Sequence, residues 1–199
     1  MALSSPYIIG VTGGIGSGKS VVSHLLRLMD VPVYDCDSEA KRLMLQNGEI
    51  REALIEAAGP EVYAPDGQLN RAYLAAYMFC DERRVEQINH IVHPVVRADF
   101  RRWAQQAGRS VVAVESAILF EAGMEADVDT VWLVHAAEDV RLKRAVRRDA
   151  SSEEAVRNRM QSQQTEQDFL LRANRIISNN GDRSLIEQVG ELLCEISRK

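Results

Sequence analysis

Length, composition and charge exclude several classes of protein. At 199 residues with 46% hydrophobic residues, the chain can bury one substantial core and is too short for a large multidomain machine. Its formal net charge of -5 argues against sequence-independent binding to DNA or RNA, which requires a basic surface.

The N-terminal residues show no targeting segment. Met1 to Pro6 contain no basic stretch, and the apolar run that follows reaches glycine almost at once. No later segment approaches the ~20 apolar residues that span a bilayer. The sequence therefore predicts a cytosolic protein that makes no use of a membrane.

The first predicted elements are a strand, a loop, a helix and a second strand. The apolar, partly β-branched run Tyr7–Val11 predicts a buried strand that enters a glycine-rich turn. A helix should follow from about Lys19 to Met29, and Val33–Tyr34 should begin a short strand that ends at Asp35. From about residue 38 to residue 107 apolar residues recur at helical spacing, so we expect a largely helical insertion.

Strands and helices alternate again in the second half of the chain. Apolar runs predict strands at Val111–Val114 and Val131–Val134, and Arg175–Ile177 predicts a last short strand. Helices are predicted at Val140–Arg148, after the capping pattern Ser151–Glu154, and at the C-terminal end. This order predicts a single α/β domain with a doubly wound parallel sheet.

The glycine-rich turn has the full pattern of a phosphate-binding P-loop. The motif reads Gly13-Gly14-Ile15-Gly16-Ser17-Gly18-Lys19-Ser20 and lies between a predicted strand and a predicted helix, the context that it requires. Glycines let the loop wrap around phosphate with its N–H groups turned inward, and the helix N-terminus adds partial positive charge. We expect Lys19 to stabilise charge during phosphoryl transfer and Ser20 to ligate Mg²⁺. The predicted contacts to ATP come from Gly14, Ile15, Gly16, Ser17, Gly18, Lys19, Ser20 and Val21.

A P-loop alone does not separate kinases from ATPases, GTPases or nucleotide-dependent switches. Guanine-nucleotide switches typically carry Asp-x-x-Gly and Asn-Lys-x-Asp motifs, and neither string occurs here. The short distance between the loop and the second strand is typical of small-molecule and nucleotide kinases, whose acceptors lie at the carboxyl ends of strands. We therefore predict a P-loop kinase, with a nucleoside or nucleotide kinase and a slowly hydrolysing switch as alternatives.

Two carboxylates follow the second predicted strand. A carboxylate at Asp35 could accept the proton of an attacking hydroxyl or hold Mg²⁺ through water. Asp37 could share that chemistry or cap the helix that begins near Ser38. For Asp35 we favour the functional interpretation.

Together with the P-loop, this region resembles the dephospho-CoA kinase family. The likeness rests on Thr12 to Ser20, on Tyr34-Asp35-Cys36-Asp37 and on Ala40-Lys41-Arg42. It continues through further segments, among them Asp66–Arg71, Asn89–Pro94, Ile118–Glu121, Arg144–Asp149 and Ile176–Gly181. The resemblance implies Mg²⁺- and ATP-dependent phosphorylation of the ribose 3′-hydroxyl of dephospho-CoA, which yields coenzyme A. It also implies that Asp35 is the general base and that Arg42, His93 and the helical insertion hold dephospho-CoA, in a protein that we expect to be a monomer.

Arginines in the second half predict a lid. Small P-loop kinases often close an arginine-bearing lid that excludes water and meets the developing charge. We place this lid at about residues 145–170 and predict a catalytic role for Arg148, with Arg144 and Arg159 as weaker candidates. A solvated charged face explains Arg141, together with Lys143 and Arg147.

Four further polar residues are candidates for a functional site. Asn179, just after the last predicted strand, could line the adenine pocket or belong only to a turn. His90 and His93 are three residues apart but lack the acidic or cysteine partners of a metal site, and His93 before Pro94 should end a helix. Glu115, at the end of the third predicted strand, is a minor candidate for a water-mediated contact to Mg²⁺.

Overall fold

The computed structural model describes residues 5–79, 81–163 and 166–198. The chain divides into two compact units, one formed by residues up to 34 together with those from 104 onward, the other by residues 35–103. Residues 164 and 165, inside the predicted lid, lie outside the described residues.

A five-stranded sheet forms the centre of the first unit. Its strands are β1 (Tyr7–Thr12), β2 (Val33–Asp35), β3 (Val111–Glu115), β4 (Thr130–His135) and β5 (Arg175–Ser178). Their order is β2-β3-β1-β4-β5, and β1 pairs in parallel with both β3 and β4. All five predicted strands are therefore present, and the doubly wound α/β prediction is confirmed.

Helices account for most of the remaining residues. In chain order they are α1 (Lys19–Leu28), α2 (Cys36–Gln46), α3 (Gly48–Ala58), α4 (Arg71–Met78), α5 (Glu82–Gln106), α6 (Glu138–Asp149), α7 (Glu153–Gln161), α8 (Glu166–Arg172) and α9 (Leu185–Ser197). Two short 3-10 turns span Pro60–Val62 and Met124–Asp127. Among the described helices, none has both the length and the apolar character needed to cross a lipid bilayer.

Both faces of the sheet in the first unit are covered, because consecutive residues of β1 and of β4, whose side chains alternate between the faces, are buried. Ile9 and Val11 of β1 are fully buried, and Trp132 of β4 is 1% exposed. Val22 of α1 and Val189 of α9 pack into the same cluster. Strands covered on both faces must be apolar throughout, which is why short β-branched runs predicted them.

The second unit contains α2 to α4 and most of α5. Three tyrosine hydroxyls tie its helices together by donating to backbone carbonyls at 2.6–2.7 Å: Tyr63 to Met44, Tyr73 to Ala58 and Tyr77 to Ala57. One isolated antiparallel bridge, Tyr63 with Leu69, interrupts the helices. The prediction that this stretch is largely helical is confirmed.

The prediction that a helix ends at His93 is wrong. Pro94 lies inside α5, which continues to Gln106. Proline removes its own N–H from the ladder and crowds the carbonyl four residues earlier, so it usually ends a helix. Here buried apolar residues continue on both sides of it at a spacing of four, Ile88, Val92, Val96 and Phe100, and this continuous stripe keeps the helix intact.

The predicted cap of α2 is also corrected. Asp35, not Asp37, is the N-cap: its carboxylate accepts hydrogen bonds from the N–H groups of Asp37 and Ser38 at 3.1 and 3.2 Å. The side chain of a cap binds amides two and three residues later, so the helix begins at Cys36, two residues earlier than expected. By the same geometry, Ser152 caps α7 by accepting from the Ala155 N–H.

Candidate active site

The P-loop joins the carboxyl end of β1 to the N-terminus of α1. Gly16 and Gly18 have φ angles of 77° and 99°, which residues with a side chain rarely adopt. A Cβ at Gly16 would lie 2.2 Å from the Arg141 carbonyl oxygen, and one at Gly18 would lie 2.2 Å from Asn179 Nδ2. Conformation therefore favours glycine at both positions, and packing against backbone also requires it at Gly16.

The N-terminus of α1 is left available to an anion. Gly18 caps the helix without a side-chain hydrogen bond, and the first turn contains no acidic residue. The Lys19 ammonium donates to the carbonyls of Gly13 at 2.7 Å and Gly14 at 3.3 Å. Backbone donors, the helix dipole and one ammonium group thus converge on the loop, as binding of a polyphosphate requires.

The side-chain oxygens of Ser20 and Glu115 lie together beside the loop. The Ser20 hydroxyl donates to Glu115 Oε1 at 3.4 Å, and Glu115 is 9% exposed at the end of β3. Because Val11 of β1 pairs with Glu115 of β3, the sheet itself brings the acid next to the loop. A hydroxyl and a carboxylate are hard oxygen donors, which suit Mg²⁺ shared with nucleotide phosphates.

Arg141 lies against the P-loop, which corrects the expectation of a merely solvated face. A Cβ at Gly14 would lie 2.3 Å from Arg141 Nη1, and Arg141 Nε donates to the Ala136 carbonyl at 3.0 Å. Arg141 precedes Arg144 and Arg148 by one and two helical turns, and it follows the carboxyl end of β4. The spacing of these three arginines along one face of α6 was the signal in the sequence that could have identified Arg141 as a site residue.

Two of the predicted lid arginines share one carboxylate partner, Asp149. Arg148 donates to both carboxylate oxygens of Asp149, at 2.7 and 3.2 Å, and Arg159 donates to the same carboxylate at 2.8 Å. The hydrogen bond from Arg148, followed by that from Arg159, lowers the pKa of Asp149 to about 2, and the bond to Asp149 raises the pKa of Arg148. Arg144 Nη1 is buried and has no hydrogen-bond partner among the described residues.

A cavity of about 240 Å³ opens beside the P-loop. Its lining combines Gly14 of the loop with residues at the carboxyl end of β4 and with residues of α6 and α7. Polar groups on its wall include His135, Glu138, Arg141 and Gln163. The cavity therefore joins the loop to the first part of the predicted lid.

Asn179 supports the loop from β5. Its Nδ2 donates to the Ser17 carbonyl at 2.7 Å, and its backbone N–H donates to the His135 carbonyl at 2.8 Å. Asn179 therefore has a contact beyond its own segment, because its amide binds the backbone in the middle of the P-loop. Contact with adenine stays a prediction.

The second unit carries the predicted acceptor residues. Asp35 Oδ2 accepts a third hydrogen bond, from Ser38 Oγ at 2.9 Å, so the carboxylate is firmly oriented. Arg42 forms ion pairs with Glu39 and Asp99. His93 is half-buried in α5, and desolvation, with a smaller effect of His90, lowers its pKa.

Comparisons with known proteins agree with one another. The family model described as dephospho-CoA kinase matches residues 7–184. The dephospho-CoA kinases of Bacteroides fragilis and Porphyromonas gingivalis are each 42% identical over 192 residues, which cover 96% of this chain and 93% and 95% of theirs. The crystal structure of TT1252 from Thermus thermophilus has a TM-score of 0.84 at 34% identity and covers 96% of this chain and 98% of that one. Dephospho-CoA kinase from Campylobacter jejuni shares the fold, with a TM-score of 0.65 at 20% identity over 98% of this chain and all of that one.

Proposed function

This chain belongs to the dephospho-CoA kinase family, whose members phosphorylate dephospho-CoA with ATP to form coenzyme A, and we propose the roles of its residues in that reaction. The family assignment decides against a nucleoside kinase and against a switch. The P-loop is the single observation that carries the chemistry, since its glycines, Lys19 and the N-terminus of α1 form one phosphate-binding surface.

ATP binds with its phosphates on Gly14 to Val21. Lys19 exchanges its hydrogen bonds to the carbonyls of Gly13 and Gly14 for the outer phosphates of ATP, where its ammonium charge stabilises their negative charge. Ser20 and Glu115 would hold Mg²⁺ through their hydroxyl and carboxylate oxygens. When bound, Mg²⁺ supplies positive charge that offsets the charge of the phosphate oxygens.

Asp35 is the general base for the ribose 3′-hydroxyl. A carboxylate offers about four acceptor positions, and the N–H groups of Asp37 and Ser38 with the Ser38 hydroxyl take three of them. The remaining position accepts the proton while the hydroxyl oxygen bonds to the γ-phosphorus and the bond from that phosphorus to ADP breaks. The hydrogen bonds of the cap hold the Asp35 carboxylate in one orientation, so less conformational freedom is lost when it accepts the proton.

Cations stabilise the charge that develops on the transferring group. Arg141 borders the loop already, and Arg148 approaches from the lid at about residues 145–170, with Arg144 and Arg159 in support. Arg42 and His93 hold dephospho-CoA in the helical insertion at about residues 38–107. Asp99 fixes the Arg42 guanidinium at 2.9 Å, which limits the number of conformations lost on binding. The cytosolic location and the monomeric state of this protein stay predictions.

The test measures ADP formation from Mg-ATP with dephospho-CoA, with nucleosides and with nucleoside monophosphates. Dephospho-CoA alone should stimulate the reaction strongly. Stimulation by a nucleoside instead, or by no acceptor, would contradict the proposed function.

Asp35→Asn tests the base, with Asp37→Asn as the matched control. Asparagine caps a helix about as well as aspartate, so Asp35→Asn preserves the start of α2 while removing the proton acceptor. We expect kcat to fall by about 10²–10⁴-fold, the usual contribution of a general base. Asp37 is exposed, and only its N–H binds Asp35, so its variant should keep kcat within about twofold of the unaltered enzyme. An Asp35→Asn enzyme with undiminished kcat would eliminate this residue as the base.

A further inference from the structure

One N–H group of the P-loop is bound by a side chain from the predicted lid. Ile15 donates its backbone N–H to Gln163 Oε1 at 2.8 Å, and 148 residues separate the two in sequence. Gln163 follows the end of α7, and its own N–H donates to the Met160 carbonyl at 3.3 Å. A side-chain oxygen therefore occupies a donor of the loop that normally faces phosphate oxygens.

A second contact joins the same loop residue to the same helices. The Ile15 side chain packs against the small apolar cluster that holds α6 to α7, formed by Leu142, Ala145 and Val156. Ile15 thus meets the lid through both its side chain and its backbone. The apolar contact does not compete with a nucleotide, whereas the hydrogen bond does.

The other polar contacts of the loop differ in kind. Asn179 binds the Ser17 carbonyl, and carbonyl oxygens are not groups that bind phosphate. The Ser17 N–H donates to the Gly14 carbonyl within the loop itself. Among the side-chain contacts of the described residues, the Gln163 carboxamide is the one that takes a loop N–H as an acceptor.

We propose that Gln163 is a positioning residue that couples the occupancy of the P-loop to the lid, by exchanging the Ile15 N–H with a phosphate oxygen of ATP. Without nucleotide, the carboxamide keeps the start of the α7–α8 connection on the loop. When ATP binds, a phosphate oxygen takes the N–H, and the carboxamide turns its NH₂ group toward the transferring phosphate only when the lid closes for phosphoryl transfer. Gln163 then holds the lid over the nucleotide. The proposal rests on the proposed function only in that the loop binds ATP.

The test is equilibrium binding of ATP, ADP and AMP to the purified protein, with steady-state kinetics on the same variants. Gln163→Ala removes the competing acceptor, so ATP and ADP should bind about 2–10-fold more tightly, the value of one ordinary hydrogen bond. AMP, which lacks the outer phosphates, should bind unchanged. The same variant loses the contact that holds the closed lid, so kcat should fall by about 10-fold or more while KM for ATP does not rise.

Two further variants make the result specific. Gln163→Glu has the same shape but a charged acceptor, which should weaken binding of ATP by about 10-fold because it competes for the N–H and repels phosphate. Gln167→Ala changes an exposed glutamine of α8 and should leave both binding and kcat unchanged. Thermal unfolding of each variant separates these effects from loss of the fold.

A Gln163→Ala protein that binds ATP no more tightly than the unaltered protein, or that keeps its kcat, would overturn the proposal. ATP binding needs no acceptor substrate, so this outcome differs from a failure of dephospho-CoA to stimulate ADP formation, which would overturn the proposed function instead.

Discussion

Replacing Gly16 by alanine tests whether the P-loop is fixed by its own backbone. The φ angle of 77° is left-handed, and alanine there costs about 1–2 kcal/mol relative to glycine. The new Cβ would lie 2.2 Å from the Arg141 carbonyl oxygen, a contact that requires the backbone of α6 or of the loop to move. Overpacking of this kind adds about 1–3 kcal/mol, so we expect a total loss of about 2–5 kcal/mol.

Two measurements show whether this cost reduces the stability of the fold or the affinity for ATP. If the loop keeps its shape, the melting temperature should fall by about 4–20 °C, given about 2–4 °C per kcal/mol for a chain of this size. If the loop moves to relieve the contact, its N–H groups lose their arrangement, and the affinity for ATP should fall by at least about 10-fold. Thermal unfolding and ATP titration on the same sample distinguish the two responses.

Gly190→Ala is the matched control, because it makes the same chemical change in open space. Gly190 lies within α9, and apart from its chain neighbours and the nearby backbone of α9 no atom lies within 4 Å of the Cβ that alanine would add. Alanine in a helix interior is favoured over glycine by about 1 kcal/mol, so this variant should melt about 2–4 °C higher and bind ATP unchanged. A Gly16→Ala protein with unaltered melting temperature and unaltered ATP affinity would refute the reasoning.

Two predictions concern pH. Because Arg148 and Arg159 lower the pKa of Asp149 to about 2, the contribution of its carboxylate to stability is complete above about pH 4 and is lost as pH falls toward 2. The melting temperature of Asp149→Asn should therefore depend less on pH over that range. An unchanged slope would contradict the pairing of Asp149 with the arginines. Because burial lowers the pKa of His93, the folded protein favours the neutral ring, and this contribution is complete above about pH 6.5 and is lost as pH falls below it. His93→Gln should therefore reduce the decline in melting temperature between about pH 7 and pH 5, and an equally steep decline in the variant would show that another group causes it.

Local pattern was sufficient for the elements that a short window defines. The P-loop motif set the backbone path from β1 into α1, and apolar β-branched runs marked all five strands because the sheet is covered on both faces. The resemblance to a family supplied Arg42 and His93, which no spacing rule would have selected. These residues still await a test of their roles.

Long-range contacts account for what the sequence did not predict. The sequence pattern favours a solvated charged face for Arg141, as for Lys143 and Arg147, yet its position in the first turn of α6 after β4 brings it onto Gly14. Asn179 reaches Ser17 across 162 residues, and such a contact depends on the order of strands rather than on local composition. At Pro94 the local rule predicted the end of a helix, but the buried apolar residues on both sides of the proline keep α5 continuous.

The sheet register has a consequence for the order in which this protein forms during synthesis. Tyr7 of β1 pairs with Val111 of β3, and Ile9 pairs with Thr130 of β4, so the neighbours of β1 leave the ribosome only after the whole of residues 35–103. The helical unit is one uninterrupted stretch of chain with mostly local contacts, which form quickly. The P-loop is thus among the first segments to be translated, but it acquires the partners that shape it among the last, when Arg141 and Asn179 arrive.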